Sequence, residues 1–281
     1  TCLDAATGEP LWMTAVGQEM QSRPALVDDI LYVPTTHVGG GLESNYDGQA
    51  SLFALDADTG ELIWEAVTGN YILRRPIVAG DLVITGGTYD DKGDSEDGSP
   101  NRIYAFDKGT GEERWVHESD DGLMHWLVAN DDVIAFSANS EVVRALDPNN
   151  GELVWSFGPS YWMQFPAEED GVMFLGTGDE RFHALDAASG ELLWEQRIDL
   201  KELNQIGQPL LQEDTIWFNA VTGDIHGLQT ADGEEVLHLD TGITARVGGA
   251  LYENLYIMGD PEGGLYACAI RYLGVVVFPP G

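Results

Sequence analysis

Along this chain, apolar and polar residues alternate in short runs. Turn-forming residues separate each run from the next. Residues 75–87, RPIVAGDLVITGG, show the pattern, with a short apolar run, an acidic turn and a second apolar run. Short runs bounded by Gly, Asp and Asn are typical of β-strands joined by tight turns. Helical spacing of apolar residues does not recur, and no apolar run has the length of a membrane-spanning helix. The pattern therefore predicts an all-β fold.

One segment recurs along the chain, and its clearest copy is ALDADTGELIW at residues 54–64. Five further copies begin at residues 2, 105, 145, 184 and 227, and a partial copy, LYACAI, occupies residues 265–270. The glycines of the six longer copies are 39 to 52 residues apart; they are Gly8, Gly60, Gly111, Gly151, Gly190 and Gly233. Repeats of about 40 to 50 residues, each forming four strands, are typical of propeller blades.

Each copy is interpreted as a strand, a tight turn and a second strand. The Asp56 carboxylate is placed to accept hydrogen bonds from backbone N–H groups of the turn. Gly60 suits a position with positive φ, which bulkier residues resist. An extended run then leads to Trp64. Two more apolar runs precede each following copy, so the unit is an inner strand, a second strand, the motif strand and the tryptophan strand.

The pattern Ala-x-Asp-x-x-Thr-Gly-Glu-x-x-Trp resembles the tryptophan-docking motif of the PQQ-type, quinoprotein-like β-propeller family. The resemblance covers essentially the whole chain and implies a β-propeller of four-stranded antiparallel blades. It also implies that five tryptophans pack against the motif of the next blade: Trp12, Trp64, Trp115, Trp155 and Trp194. We predict seven blades, and six and eight stay open because the chain begins and ends within a blade.

We predict a single propeller domain over residues 1–281, with an irregular tail or outer strand at residues 271–281. The two cysteines, Cys2 and Cys268, belong to the first and last copies, which closure of a ring would bring near each other. Two interpretations of them stay open. They are either small buried residues or a disulfide that closes the ring.

The chain has 48 acidic residues and 13 basic ones, for a net charge of −35. Repulsion among so many like charges weakens a compact fold at low ionic strength, whereas molar salt shortens the Debye length to about 3 Å. The composition therefore favours a salt-adapted organism, and an acidic surface for a basic partner is the alternative. It argues against nucleic-acid binding, which needs a basic surface, and against direct membrane insertion.

No catalytic motif stands out, and we predict no catalytic residues. Relatives that oxidise alcohols or sugars with PQQ carry an adjacent Cys-Cys pair and a calcium ligand set. This chain has no Cys-Cys pair. Its histidines lack metal-ligand spacing, and His183 and His226 fill the repeat position held elsewhere by Phe53 and Tyr104. We expect no cofactor and no metal, with PQQ and Ca²⁺ as the alternative.

Two insertions, residues 37–49 and 89–101, lengthen the first repeats. The second is acidic and offers oxygen ligands of the kind that Ca²⁺ prefers. It is a weak metal candidate, and its residues are Asp90, Asp91, Asp94 and Asp97.

A ligand-binding surface is predicted where the inner strands begin, because these positions meet at one mouth of the channel of a propeller. We call its residues the inner-strand set; they are Arg23, Arg75, Trp126, Phe165, Gln208 and Arg246. Arg74 lies beside them in the sequence. Arginines bind carboxylates through charge-assisted hydrogen bonds, and aromatic rings offer flat platforms. The alternative is that each arginine only neutralises neighbouring carboxylates.

These observations favour a non-enzymatic propeller that serves as a protein-interaction, assembly or ligand-binding module. Its partner is expected to be a protein, a peptide or a small anionic ligand. The chain resembles the propeller lipoproteins of outer-membrane assembly and surface propellers of salt-adapted microbes, and this implies a location outside the cytoplasm or at the cell surface. Two alternatives stay open: a fragment of a PQQ-dependent dehydrogenase, and the extracytoplasmic sensor domain of a larger receptor.

Overall fold

A computed structural model of the chain consists of antiparallel strands in the part that it describes. The described residues are 1–16, 20, 22–36, 50–68, 72–88, 101–119, 124–138, 142–158, 163–199, 206–245 and 248–270. Within these ranges no helix is long and apolar enough to span a bilayer. The prediction of an all-β fold is confirmed.

The strands follow the repeat along the chain. They are β1 (Cys2–Leu3), β2 (Pro10–Trp12), β3 (Ala25–Val27), β4 (Ile30–Pro34), β5 (Ser51–Asp56), β6 (Leu62–Val67), β7 (Ile72–Leu73), β8 (Ile77–Ala79), β9 (Leu82–Thr88), β10 (Asn101–Asp107), β11 (Glu113–Ser119), β12 (Met124–Ala129), β13 (Ile134–Ala138), β14 (Val143–Leu146), β15 (Leu153–Phe157), β16 (Met163–Glu169), β17 (Val172–Thr177), β18 (Arg181–Asp186), β19 (Leu192–Arg197), β20 (Leu210–Gln212), β21 (Thr215–Asn219), β22 (Ile225–Gln229), β23 (Glu235–Leu239), β24 (Ala250–Tyr252), β25 (Leu255–Gly259) and β26 (Leu265–Ala269).

The described strands form seven sheets, which agrees with seven blades. Four of the sheets have the order inner, second, motif and tryptophan strand; they are β3–β6, β12–β15, β16–β19 and β20–β23. The sheet of β7–β11 has five strands, because β7 and β8 both pair with β9. Two smaller sheets are β1–β2 and β24–β26.

The chain divides into two compact units, each of which has its own core. Unit 1 comprises Thr1–Ser140 and Arg144–Val154, and unit 2 comprises Glu141–Val143 and Trp155–Gly281. The single domain over residues 1–281 stays a prediction. Each core joins side chains of successive sheets: Leu52 packs in one cluster with Val83 in unit 1, and Phe182 packs with Phe218 in unit 2.

The turn of each motif has the geometry that the repeat predicts. The Asp56 carboxylate accepts hydrogen bonds from the backbone N–H groups of Asp58 and Thr59, at 3.1 and 2.8 Å. Gly60 has a φ of +73°. On either side of the turn Ala54 pairs with Trp64, and the register shifts directly after that pair. These contacts confirm the strand–turn–strand interpretation of the motif.

Five tryptophans make the same two contacts with the next copy of the motif. Each indole N–H donates to the backbone carbonyl three residues before the motif glycine, at 2.8 to 3.1 Å. A Cβ atom built on that glycine would come within 3.0 Å of the indole ring. The pairs are Trp12 with Gly60, Trp64 with Gly111, Trp115 with Gly151, Trp155 with Gly190 and Trp194 with Gly233.

The motif carboxylates make the stability of the fold sensitive to acid. Hydrogen bonds from Arg114 and from the turn hold the pKa of Asp107 at about 2. Its folded-state pKa is below the unfolded value of about 3.9, so its stabilising contribution is present above pH 4 and is lost as the pH falls through about 2. We expect Asp107→Asn to flatten the fall in the urea midpoint between pH 5 and pH 2. The exposed turn residue Asp58, changed to Asn, is the control, and equal slopes in both variants would contradict this assignment.

Candidate functional site

The inner-strand set falls partly within the described residues. In unit 1, Arg23 and Arg75 are exposed and precede β3 and β8, and Trp126 lies in β12. These three strands are neighbours, since β8 lies beside both β3 and β12. Unit 1 therefore brings together the backbone positions of three members of the set.

Unit 2 holds two further members whose backbone is described. Phe165 lies in β16 and Gln208 lies two residues before β20, and these two strands are neighbours. Gln208 is exposed. The side chains of Trp126 and Phe165, and all of Arg246, lie outside the described residues. The calcium candidates Asp90, Asp91, Asp94 and Asp97 also lie outside them, as does the tail at residues 271–281.

The arginines at the inner-strand starts differ from those on the sheets in their partners. On the sheets, four arginines form ion pairs with carboxylates: Arg102 with Glu118, Arg114 with Asp107, Arg181 with Glu195 and Arg197 with Glu180. Among the described residues no carboxylate pairs with Arg23 or Arg75. In the described part of this chain of net charge −35, Arg23 and Arg75 thus lie at the starts of two neighbouring strands of unit 1 without such a pair.

Arg74 extends this group of cations below the surface. Its backbone is fixed in the turn, because its N–H donates to the Gly86 carbonyl at 2.8 Å and its carbonyl accepts from Thr85 Oγ1 at 2.8 Å. Its Nε is buried and has no hydrogen-bond partner within the described part of the chain. Burial lowers the pKa of its guanidinium from the usual value. An incoming acceptor would satisfy this donor, whose unmet desolvation costs about 1–3 kcal/mol.

The structure also brings together three side chains that the sequence reasoning did not connect. Asp224, His226 and His238 each offer one ligand atom, and these atoms lie within 4.8 Å of one another. We call them the hairpin cluster. A helical metal-ligand spacing such as H-x-x-x-H does not relate them, because His226 and His238 are paired across two strands. The alternation of strand positions around the turn at Gly233 is the signal that would have found them.

The two cysteines are free thiols. Cys268 is fully buried, and burial raises the pKa of its thiol. Because Cys2 and Cys268 are far apart in the sequence, the chain lacks the adjacent cysteine pair that the resemblance associates with PQQ.

Several solved structures of other proteins share the fold of this chain. BamB from Moraxella catarrhalis is 17% identical with a TM-score of 0.67, over 89% of this chain and 72% of that one. The computationally designed Ika8 protein is 15% identical with a TM-score of 0.68, over 87% of this chain and 69% of that one. A quinohemoprotein alcohol dehydrogenase, ADHIIG from Pseudomonas putida HK5, is 12% identical with a TM-score of 0.66, over 95% and 61%. At these identities the likeness shows the fold alone, a β-propeller.

Comparison of this sequence with known proteins and with family profiles identifies the family of the chain. No curated protein sequence matches the chain at a significant level. The profile of one family, described as outer membrane protein assembly factor BamB, matches residues 1–139 and again residues 138–272. The two matches cover nearly all of the chain, and they agree with the motif that recurs along it. The chain belongs to this family of PQQ-like β-propellers.

Proposed function

We propose that this propeller is a non-enzymatic binding module that takes a carboxylate-bearing segment of a protein partner at the inner-strand starts of unit 1. The proposal is based on the exposure of Arg23 and Arg75 and on their lack of a carboxylate partner in the described structure. Four arginines on the sheets of the same acidic chain are paired with carboxylates, and this difference supports a binding role for Arg23 and Arg75.

The physical basis of binding is short-range. A guanidinium donates up to five N–H bonds and forms bidentate pairs with carboxylates. Hydrogen bonds to charged groups each contribute about 1.5–3 kcal/mol. The net charge of −35 repels an acidic partner at low salt, and this repulsion is screened in about 1 M salt, where the Debye length is about 3 Å. Binding is therefore expected to strengthen as salt is added, until the arginine pairs are themselves screened.

The family description supports an assembly role outside the cytoplasm, and the acidic composition supports a salt-adapted organism. In this role a rigid scaffold presents a binding surface and performs no chemistry on its partner. The alternative of a PQQ-dependent dehydrogenase has a direct test. We expect the chain, mixed with PQQ and Ca²⁺, to give no dye-linked alcohol oxidation above background, and turnover would contradict the non-enzymatic proposal.

The binding site is tested with a fluorescent hexaglutamate peptide in about 1 M NaCl. We expect the double variant Arg23→Gln and Arg75→Gln to bind at least tenfold more weakly than the parent chain, because two charge-assisted contacts are lost. Fluorescence anisotropy measures the affinity. A hexaglutamine peptide is the uncharged control and is expected not to bind.

A second double variant controls for net charge. Arg114→Gln and Arg197→Gln remove the same two charges from exposed arginines that are paired with Asp107 and Glu180. We expect this variant to bind the peptide like the parent chain. Equal weakening in both double variants would show that only net charge matters, and failure of the parent chain to bind would remove the proposed site.

A further inference from the structure

The hairpin cluster lies around one turn of unit 2, on β22 and β23. Asp224 directly precedes β22, and His226 follows two residues later, so their side chains share one face of the extended chain. His226 pairs with His238 of β23. The strand alternation and the pairing therefore place all three side chains on the same face of the hairpin, where the structure brings their ligand atoms within 4.8 Å of one another.

His226 is oriented like a histidine that binds a metal. Its side chain is 1% exposed, and its Nδ1 lies 2.7 Å from Glu235 Oε1. Since a carboxylate only accepts, Nδ1 carries a proton, and this tautomer of the imidazole has its lone pair at Nε2. This Nε2 is buried and has no hydrogen-bond partner in the described structure. A carboxylate that holds the distal nitrogen of a ligating histidine is the usual outer contact of zinc sites.

The other two members complete a partly open site. The Asp224 side chain is fully buried, and one of its oxygens accepts from Thr222 Oγ1 at 3.1 Å. Its other oxygen, Oδ1, lies 4.0 Å from Nε2 of His238, whose side chain is 38% exposed. The cluster thus combines a buried carboxylate, a buried imidazole and a part-exposed imidazole, His238, whose ring stacks on that of His226 with the centroids 4.5 Å apart.

We propose that Asp224, His226 and His238 bind a divalent transition-metal ion of the zinc class, with water at the fourth position. Ligand atoms of a tetrahedral site with bonds of 2.0–2.1 Å lie about 3.3 Å apart. The three ligand atoms lie within 4.8 Å of one another, so binding requires them to approach by up to about 1.5 Å. Rotation of His238, which is now stacked on His226, would supply part of this movement. Two imidazoles and one carboxylate suit Zn²⁺, whereas Ca²⁺ and Mg²⁺ prefer oxygen ligands.

The equivalent position of the preceding motif strand shows what an ordinary histidine of this repeat looks like. His183 of β18 holds the place of His226, but Arg181 stands two residues before it and Glu195 is its cross-strand partner. His183 Nε2 lies 3.2 Å from Thr177 Oγ1, whereas its buried Nδ1, like Nε2 of His226, has no hydrogen-bond partner in the described structure. A cation would meet a guanidinium there. The hairpin therefore departs from the preceding repeat in two residues: Asp224 stands where β18 has Arg181, and His238 is the cross-strand partner of the histidine.

Calorimetric titration with Zn²⁺ tests the proposal on the full chain after dialysis against EDTA. A background of about 1 M NaCl suppresses loose binding of cations to the acidic surface. We expect one tight site, and Co²⁺ in place of Zn²⁺ to give the visible absorption bands of tetrahedral nitrogen and oxygen ligation. His238→Ala removes the part-exposed member of the cluster, and we expect it to weaken Zn²⁺ binding at least a hundredfold.

Two further variants separate ligation from packing. Glu235→Gln keeps the volume of the side chain and weakens its hold on His226, so we expect a tenfold to hundredfold loss of Zn²⁺ affinity. His183→Phe changes the equivalent histidine of the preceding repeat and is expected to leave Zn²⁺ binding unchanged. Absence of a tight site in the parent chain, or equal binding by the His238→Ala and His183→Phe variants, would overturn the assignment.

Discussion

Replacing Trp64 with alanine is expected to lower the free energy of unfolding by about 3 to 5 kcal/mol, the cost of removing a large buried aromatic side chain. Trp64 is 8% exposed and packs in the core cluster of unit 1. Its ring covers Gly111, and its N–H donates to the Lys108 carbonyl at 3.1 Å. The change therefore opens a cavity and also removes one of two hydrogen bonds to the Lys108 carbonyl, which accepts as well from the Tyr32 hydroxyl at 3.2 Å. Urea unfolding at fixed salt measures the loss.

The neighbouring residue of the same strand is the control. Ile63 is 45% exposed and points away from the core, so Ile63→Ala is expected to change the free energy of unfolding by less than about 1 kcal/mol. Similar losses from Trp64→Ala and Ile63→Ala would mean that the indole has no special place between the two copies of the motif.

Gly111→Ala is expected to cost about 2 to 5 kcal/mol, for two separable reasons. Gly111 has a φ of +73°, which costs an alanine about 1–2 kcal/mol. In addition, the new Cβ would lie 2.6 Å from Trp64 Cδ2, so the ring must move. Forcing a methyl group into a packed site typically costs about 1–3 kcal/mol. The same unfolding experiment measures the sum.

The first copy of the motif separates these two costs. Gly8 has nearly the same φ, +72°, but a Cβ built on it meets no atom within 4 Å. Gly8→Ala is therefore expected to show the conformational cost alone, about 1–2 kcal/mol. If Gly111→Ala and Gly8→Ala destabilised the chain equally, the ring above Gly111 would contribute nothing to the requirement for glycine.

The features that the sequence predicted well are local. The Asp56 turn and the positive φ of Gly60 follow from neighbouring residues, and the motif repeats often enough to give strand order as well. The extra pairing of β7 with β9 was not predicted, because a run of two residues at Ile72–Leu73 carries no periodic signal.

The candidate sites were less accessible to sequence reasoning, because they depend on what stands opposite a residue. Whether Arg75 is paired or free is decided by the carboxylates that the fold brings near it, and the sequence offers acids almost everywhere. The hairpin cluster depends on the pairing of His226 with His238, twelve residues further along the chain. A one-residue change in that register would turn one imidazole to the opposite face.

The contact between each tryptophan and the glycine of the next copy is the central feature of this repeat. A double-mutant cycle on Trp64→Ala and Gly111→Ala tests that contact most directly. Once the ring is removed, Gly111→Ala should cost no more than Gly8→Ala does. We therefore expect the double variant to be more stable than the sum of the single losses implies, by about 1 kcal/mol or more. Losses that simply add would show that the indole and the glycine act independently, and would contradict the account.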